Sequence, residues 1–176
     1  MDSDPPDHVT MQMISLGEVV QWSATMEATL RDAFCSLVGS KFAAIVAAGQ
    51  STVWLIEQCR ALAGAHREMP EAHREAIKTA LDRCAAANER RNHLVHGVKT
   101  AVRVSDGALK TIRSRTRRYE PAVQDWTPAT IHEAAGELAL AGGDLFAAIQ
   151  AAISPQMMVI SDALAWEVRQ AGSQPE

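Results

Sequence analysis

The chain has 176 residues, which is enough for one domain with its own hydrophobic core. Apolar residues make up 47% of it and aromatic residues only 5%, and alanine supplies much of the apolar share, a usage typical of closely packed helices. The net charge of −4 excludes a protein that coats nucleic acid through its overall charge, so any contact with a polyanion has to be local.

The three cysteines, Cys35, Cys59 and Cys84, are widely separated and each lies within an apolar helical pattern. That arrangement predicts reduced core thiols in a cytoplasmic protein, with no disulfide framework, no metal and no other cofactor. The first ten residues have no basic stretch followed by an apolar one, as a signal peptide would. No apolar run reaches about 18 residues, so no membrane span is expected.

The first helix is predicted to begin at Ser15, after a disordered segment of residues 1–14. Ser15 and Glu18 have the spacing of a capping box, and apolar residues then recur every three or four positions as far as Gly39. A short apolar piece of undetermined structure follows at Phe42–Ala48. Ser51 is placed to cap a second helix that ends near Gly64.

A third long helix is predicted from Pro70, a residue favoured at the first helical position, to His96, with Gly97 ending it. The apolar period then switches to two, and Asp106-Gly107 predicts a β-hairpin at about 98–118. Because two strands alone are marginally stable, this hairpin must pack against the helices or a second subunit.

The rest of the chain is predicted to be a linker at Pro121–Asp125 and two helices that begin at Thr127-Pro128 and Ser154-Pro155. Gly142-Gly143 lies inside the first of these and predicts close backbone packing or a kink. The fold class is therefore all-α, an up-and-down helical bundle of four to five main helices with a β-hairpin inserted after the third long helix. Residues 15–176 form a single domain.

The end of the third long helix concentrates the chemically usable residues. At about 100° per residue, its apolar stripe continues through four more positions: Asn88, Arg91, Asn92 and Val95. The first three of these residues are polar. An unpaired polar group on a buried face costs about 1–3 kcal/mol. Arg91 and Asn92 must therefore meet partners in a cleft, at a subunit interface or on a ligand, whereas Arg90 points to the opposite side.

The sequence Arg91-Asn92-x3-His96, followed by glycine, resembles the Arg-x4-His signature of the HEPN domain superfamily. The match covers six residues of motif at the end of a long amphipathic helix. The resemblance implies a HEPN-like helical domain and a homodimer whose two motif helices build a composite cleft. It also implies a metal-independent endoribonuclease with a toxin–antitoxin or phage-defence role and an antitoxin protein as a partner.

The residue chemistry is consistent with that role. His96 has a pKa range suited to proton transfer, and the Arg91 guanidinium matches two phosphate oxygens. Five residues apart on a helix, the two diverge by about 140°, so a second copy or a loosened helix end is needed to bring them together. Asn92, four residues before His96, is placed to orient the imidazole or to hold the scissile phosphate.

Two alternatives stay open. Many HEPN members have lost cleavage, so the chain can also be a non-catalytic dimeric module that binds a nucleotide or a partner protein. In a plain structural domain, Arg91 and Asn92 would only cap carbonyl groups at the helix end.

The chain carries further basic residues besides Arg91 and His96. A row of arginines on the second hairpin strand is equally compatible with RNA or phosphate binding and with a solvated face: Arg113, Arg115, Arg117 and Arg118. His93 is expected on the solvated face, and His132-Glu133 lacks the second histidine of a zinc-protease helix.

Overall fold

The computed structural model describes the backbone of residues 8–96, 98–100, 109–114 and 121–171, and the side chains of residues 9–95 and 125–153. It contains helices α1 (His8–Val38), α2 (Ala43–Ala47), α3 (Thr52–Ala65), α4 (Glu71–His96) and α5 (Pro128–Ala171), and strands β1 (Val98–Thr100), β2 (Leu109–Ser114) and β3 (Pro121–Trp126). The predicted all-α helical bundle is confirmed.

The four long helices form a ring in the order α1, α3, α4, α5, with α1 and α4 facing each other across the core. The side chains at the centre are apolar and fully buried, among them Met26, Leu30, Leu55, Ile77, Leu81, Leu138 and Leu145. Each helix contributes a stripe of apolar residues to this core, as the three-four spacing of the sequence requires.

The helix directions depart in one place from a simple up-and-down order. Cys59 lies at the Leu30 carbonyl (3.7 Å) and His66 at the Leu37 carbonyl (2.7 Å), so α1 and α3 run in the same direction. The chain returns between them through α2. The remaining connections reverse direction, since α4 is antiparallel to both α3 and α5.

The first helix begins earlier than the sequence predicted. Residues 8–14, expected to be disordered, form the first turns of α1, while residues 1–7 lie outside the described part of the chain. Ser15 is buried inside the helix and is not its cap. The reason is tertiary, since this end of α1 borders α5 in a shared cavity lined by Met11, Ile14, Ser15, Glu18, Pro128, Ala129 and His132.

The hairpin strands pair as predicted, with Val98 opposite Ile112 and Thr100 opposite Lys110. The Asp106-Gly107 turn lies outside the described residues. The linker predicted at Pro121–Asp125 is wrong, because this segment is β3, which pairs antiparallel with β2 and makes the third strand of the sheet. The sheet packs on the bundle, where β2 contacts α4 and β3 contacts α5.

The two helices predicted at the C-terminal end are one continuous helix, α5. Ser154-Pro155 therefore does not begin a new helix. The close packing predicted for Gly142-Gly143 is confirmed at the first glycine, where an added Cβ would lie 3.4 Å from the Met26 Cα on α1. An added Cβ on Gly143 would meet nothing within 4 Å.

Candidate functional site at the end of helix α4

The inward stripe of α4 carries polar groups, as the sequence predicted. Asn88 is buried, with 7% of its surface exposed, and Arg91 and Asn92 are half-buried. Val95, predicted to lie on the same stripe, is instead 37% exposed, and Leu94 takes the core position. Seven-residue steps along a helix return to nearly the same face, so the core line runs from Ala80 through Ala87 to Leu94.

Arg91 and Asn92 are joined by a hydrogen bond. The Arg91 Nη1 donates to the Asn92 Oδ1 at 2.9 Å, in a half-buried setting. Neighbouring side chains on a helix point about 100° apart, so this bond requires both to lean toward each other. This bond occupies the carbonyl oxygen of Asn92, which is an acceptor, and the amide N–H groups are the donors that this side chain can offer to a phosphate oxygen.

His96 is the last residue of α4, and its side chain lies outside the described residues. The predicted meeting of His96 with Arg91 in one cleft therefore stays a prediction. The same holds for the arginine row. The backbone of Arg113 lies in β2, opposite Ala122, while Arg115, Arg117 and Arg118 fall outside the described residues.

A groove between α3 and α4 begins beside the Arg91–Asn92 pair. It has a volume of about 290 Å³ and is lined by Val53, Ile56, Glu57, Arg60, Ala85, Asn88, Glu89 and Asn92. Two of the polar residues on the inward stripe thus border a cavity that is open to solvent.

The opposite side of α4 is held by an ion-pair network that the sequence analysis did not predict. The Arg90 guanidinium donates to Glu133 at 2.8 Å and to Glu137, both on α5. The guanidinium also lies over the ring of Trp126, 5.8 Å from its centroid. Burial alone would lower the pKa of Arg90, but the hydrogen bonds and charges of Glu133 and Glu137 outweigh it and raise the pKa.

The sequence signal for this network was present. Glu133 and Glu137 are four residues apart and therefore share one helix face. Nothing in the sequence showed that this face would meet Arg90, because the pairing spans 43 and 47 residues of chain.

Three histidines outside the motif differ in their surroundings: His66, His93 and His132. His66 bonds the Leu37 carbonyl in the last turn of α1, where carbonyl groups have no partner within the helix. His132 pairs with Glu18 at 2.7 Å. His93, predicted to be solvated, is half-buried, and its Nδ1 is shielded without a hydrogen-bond partner.

The cysteines behave as the sequence predicted for core thiols. Cys59 and Cys84 are fully buried and Cys35 is half-buried, all three as free thiols. Burial raises the pKa of Cys59 and of Cys84 from 9.0 to about 12, so both thiols stay protonated near neutral pH. Among the described side chains, no three histidine, cysteine or acidic residues come together as a metal site.

One described helix segment, Pro128–Ile153 of α5, is long and apolar enough to cross a membrane by length and composition. The core helices of soluble bundles meet the same criterion, and this segment packs against α1 and α4.

The chain matches no model of a known protein family, no curated protein and no solved structure. The resemblance to the HEPN superfamily therefore rests on the motif residues themselves.

Proposed function

We propose that this protein is a HEPN-like, metal-independent endoribonuclease that acts as a homodimer. The observation that carries the proposal is the hydrogen-bonded Arg91–Asn92 pair, half-buried on the inward side of α4, one turn before His96 at the helix end. Burial of a guanidinium and an amide costs folding free energy, whereas both groups can bind the oxygens of a phosphate.

The reaction needs no group beyond these residues and the RNA. The 2′-hydroxyl oxygen attacks the adjacent phosphorus, the bond from phosphorus to the 5′-oxygen of the next nucleotide breaks, and a 2′,3′-cyclic phosphate and a 5′-hydroxyl result. A base removes the 2′ proton and an acid gives a proton to the leaving 5′-oxygen. His96 would supply proton transfer, while Arg91 would stabilise the negative charge that builds on the phosphate.

Helix geometry requires either a loosened helix end or a second copy, and the resemblance to the HEPN superfamily favours the second copy. Five residues separate Arg91 from His96, so on a regular helix they diverge by about 140°. Two copies related by a twofold axis would supply two imidazoles, one as base and one as acid, around one phosphate. We further propose that Arg113, Arg115, Arg117 and Arg118 hold RNA phosphates beyond the cleavage site, and that an antitoxin protein restrains the activity.

The test is cleavage of total RNA by the purified full chain in the presence of EDTA. His96→Ala should lower the cleavage rate by about 100-fold or more, and Arg91→Ala by a similar factor, because each removes a group that acts in the transition state. His132→Ala and Arg67→Ala are matched controls at exposed positions outside the motif and should cleave like the wild type. Cleavage that is unchanged in His96→Ala would contradict the proposal.

A second candidate function is favoured by the groove between α3 and α4. A cavity of about 290 Å³ that combines two asparagines with Glu57 and Arg60 can hold a small polar ligand, as a non-catalytic module for a nucleotide or a partner peptide would require. In that case wild-type protein cuts no RNA, and Asn88→Ala weakens nucleotide binding measured by calorimetry. RNA cleavage in EDTA that depends on His96 would exclude this candidate.

A further inference from the structure

The groove between α3 and α4 contains a buried amide that has no partner among the described residues. Asn88 lines this groove and keeps only 7% of its surface exposed. No described residue forms a hydrogen bond with its side chain, and its amide atoms are not fully enclosed by the protein, so they open into the groove. A buried polar side chain normally has a hydrogen-bond partner, because leaving it unpaired costs folding free energy. We therefore expect the partner of Asn88 on a molecule bound in the groove.

The rest of the groove lining offers apolar contact and a hydrogen-bond acceptor. The guanidinium of Arg60 is engaged by Asp82 at 2.6 Å, whereas the carboxylate of Glu57 lines the groove and can accept hydrogen bonds. The walls between these polar groups are apolar and are formed by Val53, Ile56 and Ala85. A nucleobase, which has two apolar faces and a polar edge, matches this lining.

The groove also borders the residue that is proposed to bind the scissile phosphate. Asn92 lines the groove, and its Oδ1 accepts a hydrogen bond from the Arg91 Nη1 at 2.9 Å. In RNA, a nucleobase is separated from its own phosphate by a single sugar. A phosphate held by Arg91 therefore places a neighbouring nucleobase at this groove.

We propose that the groove between α3 and α4 binds an adenine of the RNA substrate next to the scissile phosphate, and that Asn88 recognises this adenine. The inference rests on the proposed function, because it assigns a nucleobase of the same RNA. An asparagine side chain pairs with adenine through two hydrogen bonds, in which Oδ1 accepts from the N6 amino group and Nδ2 donates to the adjacent ring nitrogen. Proteins read single-stranded RNA in this way, through nucleobases that leave the stack and bond to side chains.

The carboxylate of Glu57 favours adenine over the other nucleobases. The second N6 hydrogen of adenine can be donated to this carboxylate, whereas uracil and guanine would turn a carbonyl oxygen, O4 or O6, toward it. Cytosine has an amino group but only one ring, so it covers less of the apolar walls. The groove thus selects adenine by its polar edge and by its size.

The first experiment measures binding without cleavage. Short 2′-O-methyl oligonucleotides lack the attacking hydroxyl, and oligo(A), oligo(C) and oligo(U) are titrated with the full chain by fluorescence anisotropy. Wild-type protein should bind oligo(A) about 10-fold more tightly than the other two, and Asn88→Leu should reduce this preference to about 2-fold or less, because it removes the bidentate contact. Gln58→Leu is the matched control and should keep the preference, since it removes an amide from a half-buried position of α3 outside the groove.

A second pair of variants fills the groove without removing a polar group. Ala85 lines the groove, whereas the next residue, Ala86, is exposed on the other side of α4. Ala85→Leu should abolish the preference for oligo(A), and Ala86→Leu should leave it unchanged. Thermal melts separate recognition from a structural role of Asn88, because Asn88→Leu should raise Tm when an unpaired amide no longer occupies the buried stripe.

Three results would each overturn the proposal. The first is equal binding of the three oligonucleotides by wild-type protein, and the second is an Asn88→Leu protein that keeps the preference. The third is an Asn88→Leu protein whose Tm falls together with its binding of all three oligonucleotides. If Asn88→Leu does not fold, the comparison of Ala85→Leu with Ala86→Leu decides the question.

The outcome is separate from that of the RNA cleavage assay. Sequencing the 5′-hydroxyl ends of RNA cut by the wild type should show adenine enriched at one position beside the cut. Cleavage with no such enrichment overturns adenine recognition and leaves the ribonuclease proposal standing. A preference for oligo(A) in a chain that cuts no RNA supports adenine recognition and contradicts the ribonuclease.

Discussion

Two adjacent glycines in α5, Gly142 and Gly143, should respond in opposite ways to replacement by leucine, although both tolerate alanine. Each costs the helix about 1 kcal/mol relative to alanine. A Cβ on Gly143 would meet nothing within 4 Å, so Gly143→Ala should stabilise the protein by about 1 kcal/mol. For a domain of this size, that raises Tm by about 2–4 °C. A Cβ on Gly142 would already touch the Met26 Cα at 3.4 Å, which leaves room for one methyl group and no more.

Leucine makes the contrast measurable. Gly143→Leu keeps most of the gain in helix propensity, whereas Gly142→Leu forces three further carbon atoms against the backbone of α1 and should cost about 1–3 kcal/mol by overpacking. The assay is urea denaturation of both variants, followed by circular dichroism. Equal stability of the two leucine variants would refute the close approach of α1 and α5 at Gly142. A Gly143→Ala protein less stable than the wild type would contradict the open space around Gly143.

Two other predictions concern the cap of α3 and the buried thiols. Ser51→Ala removes the acceptor of the Trp54 N–H bond (3.2 Å) and should cost about 1 kcal/mol in a thermal melt, and an unchanged Tm would show that the cap does not contribute. The pKa values of Cys59 and Cys84 are raised from 9.0 to about 12 in the folded chain, so between these pH values the folded state binds more protons than the unfolded one. These thiols should therefore leave the free energy of unfolding independent of pH below about pH 9 and make it fall above that pH, by about 1.4 kcal/mol per pH unit for each thiol. Urea denaturation at a series of pH values measures this slope. The slope should be smaller in a variant with both cysteines changed to alanine.

The ends of helices were predictable where a local bond decides them. Ser51 caps α3 through a bond to a residue three positions away, and Pro70 directly precedes α4, so sequence spacing alone located both starts. The capping-box pattern at Ser15 failed because the same residues are compatible with a helix interior. Packing against α5 then continued the helix back to His8.

Tertiary packing, and not local sequence, also decided the structure of β3 and of the C-terminal part of α5. Pro121–Trp126 has no alternating pattern strong enough to predict a strand, and it becomes one because β2 offers it an open edge. Ser154-Pro155 has the composition of a helix start, yet α5 continues through it. Both differences come from residues distant in sequence, which local propensity does not contain.

At the candidate site, sequence periodicity was sufficient to show that Asn88, Arg91 and Asn92 belong to the inward side of α4, because the helical repeat assigns residues to faces before any neighbour is known. What lies beside that face was decided only by the tertiary structure. The groove along α3, the pairing of Arg90 with two glutamates of α5 and the exposure of Leu140 all depend on how the helices are arranged around the core. The sequence by itself determined the helices and their polar interruptions, and long-range packing decided which of these meet, since contacts between helices join residues that no local pattern connects.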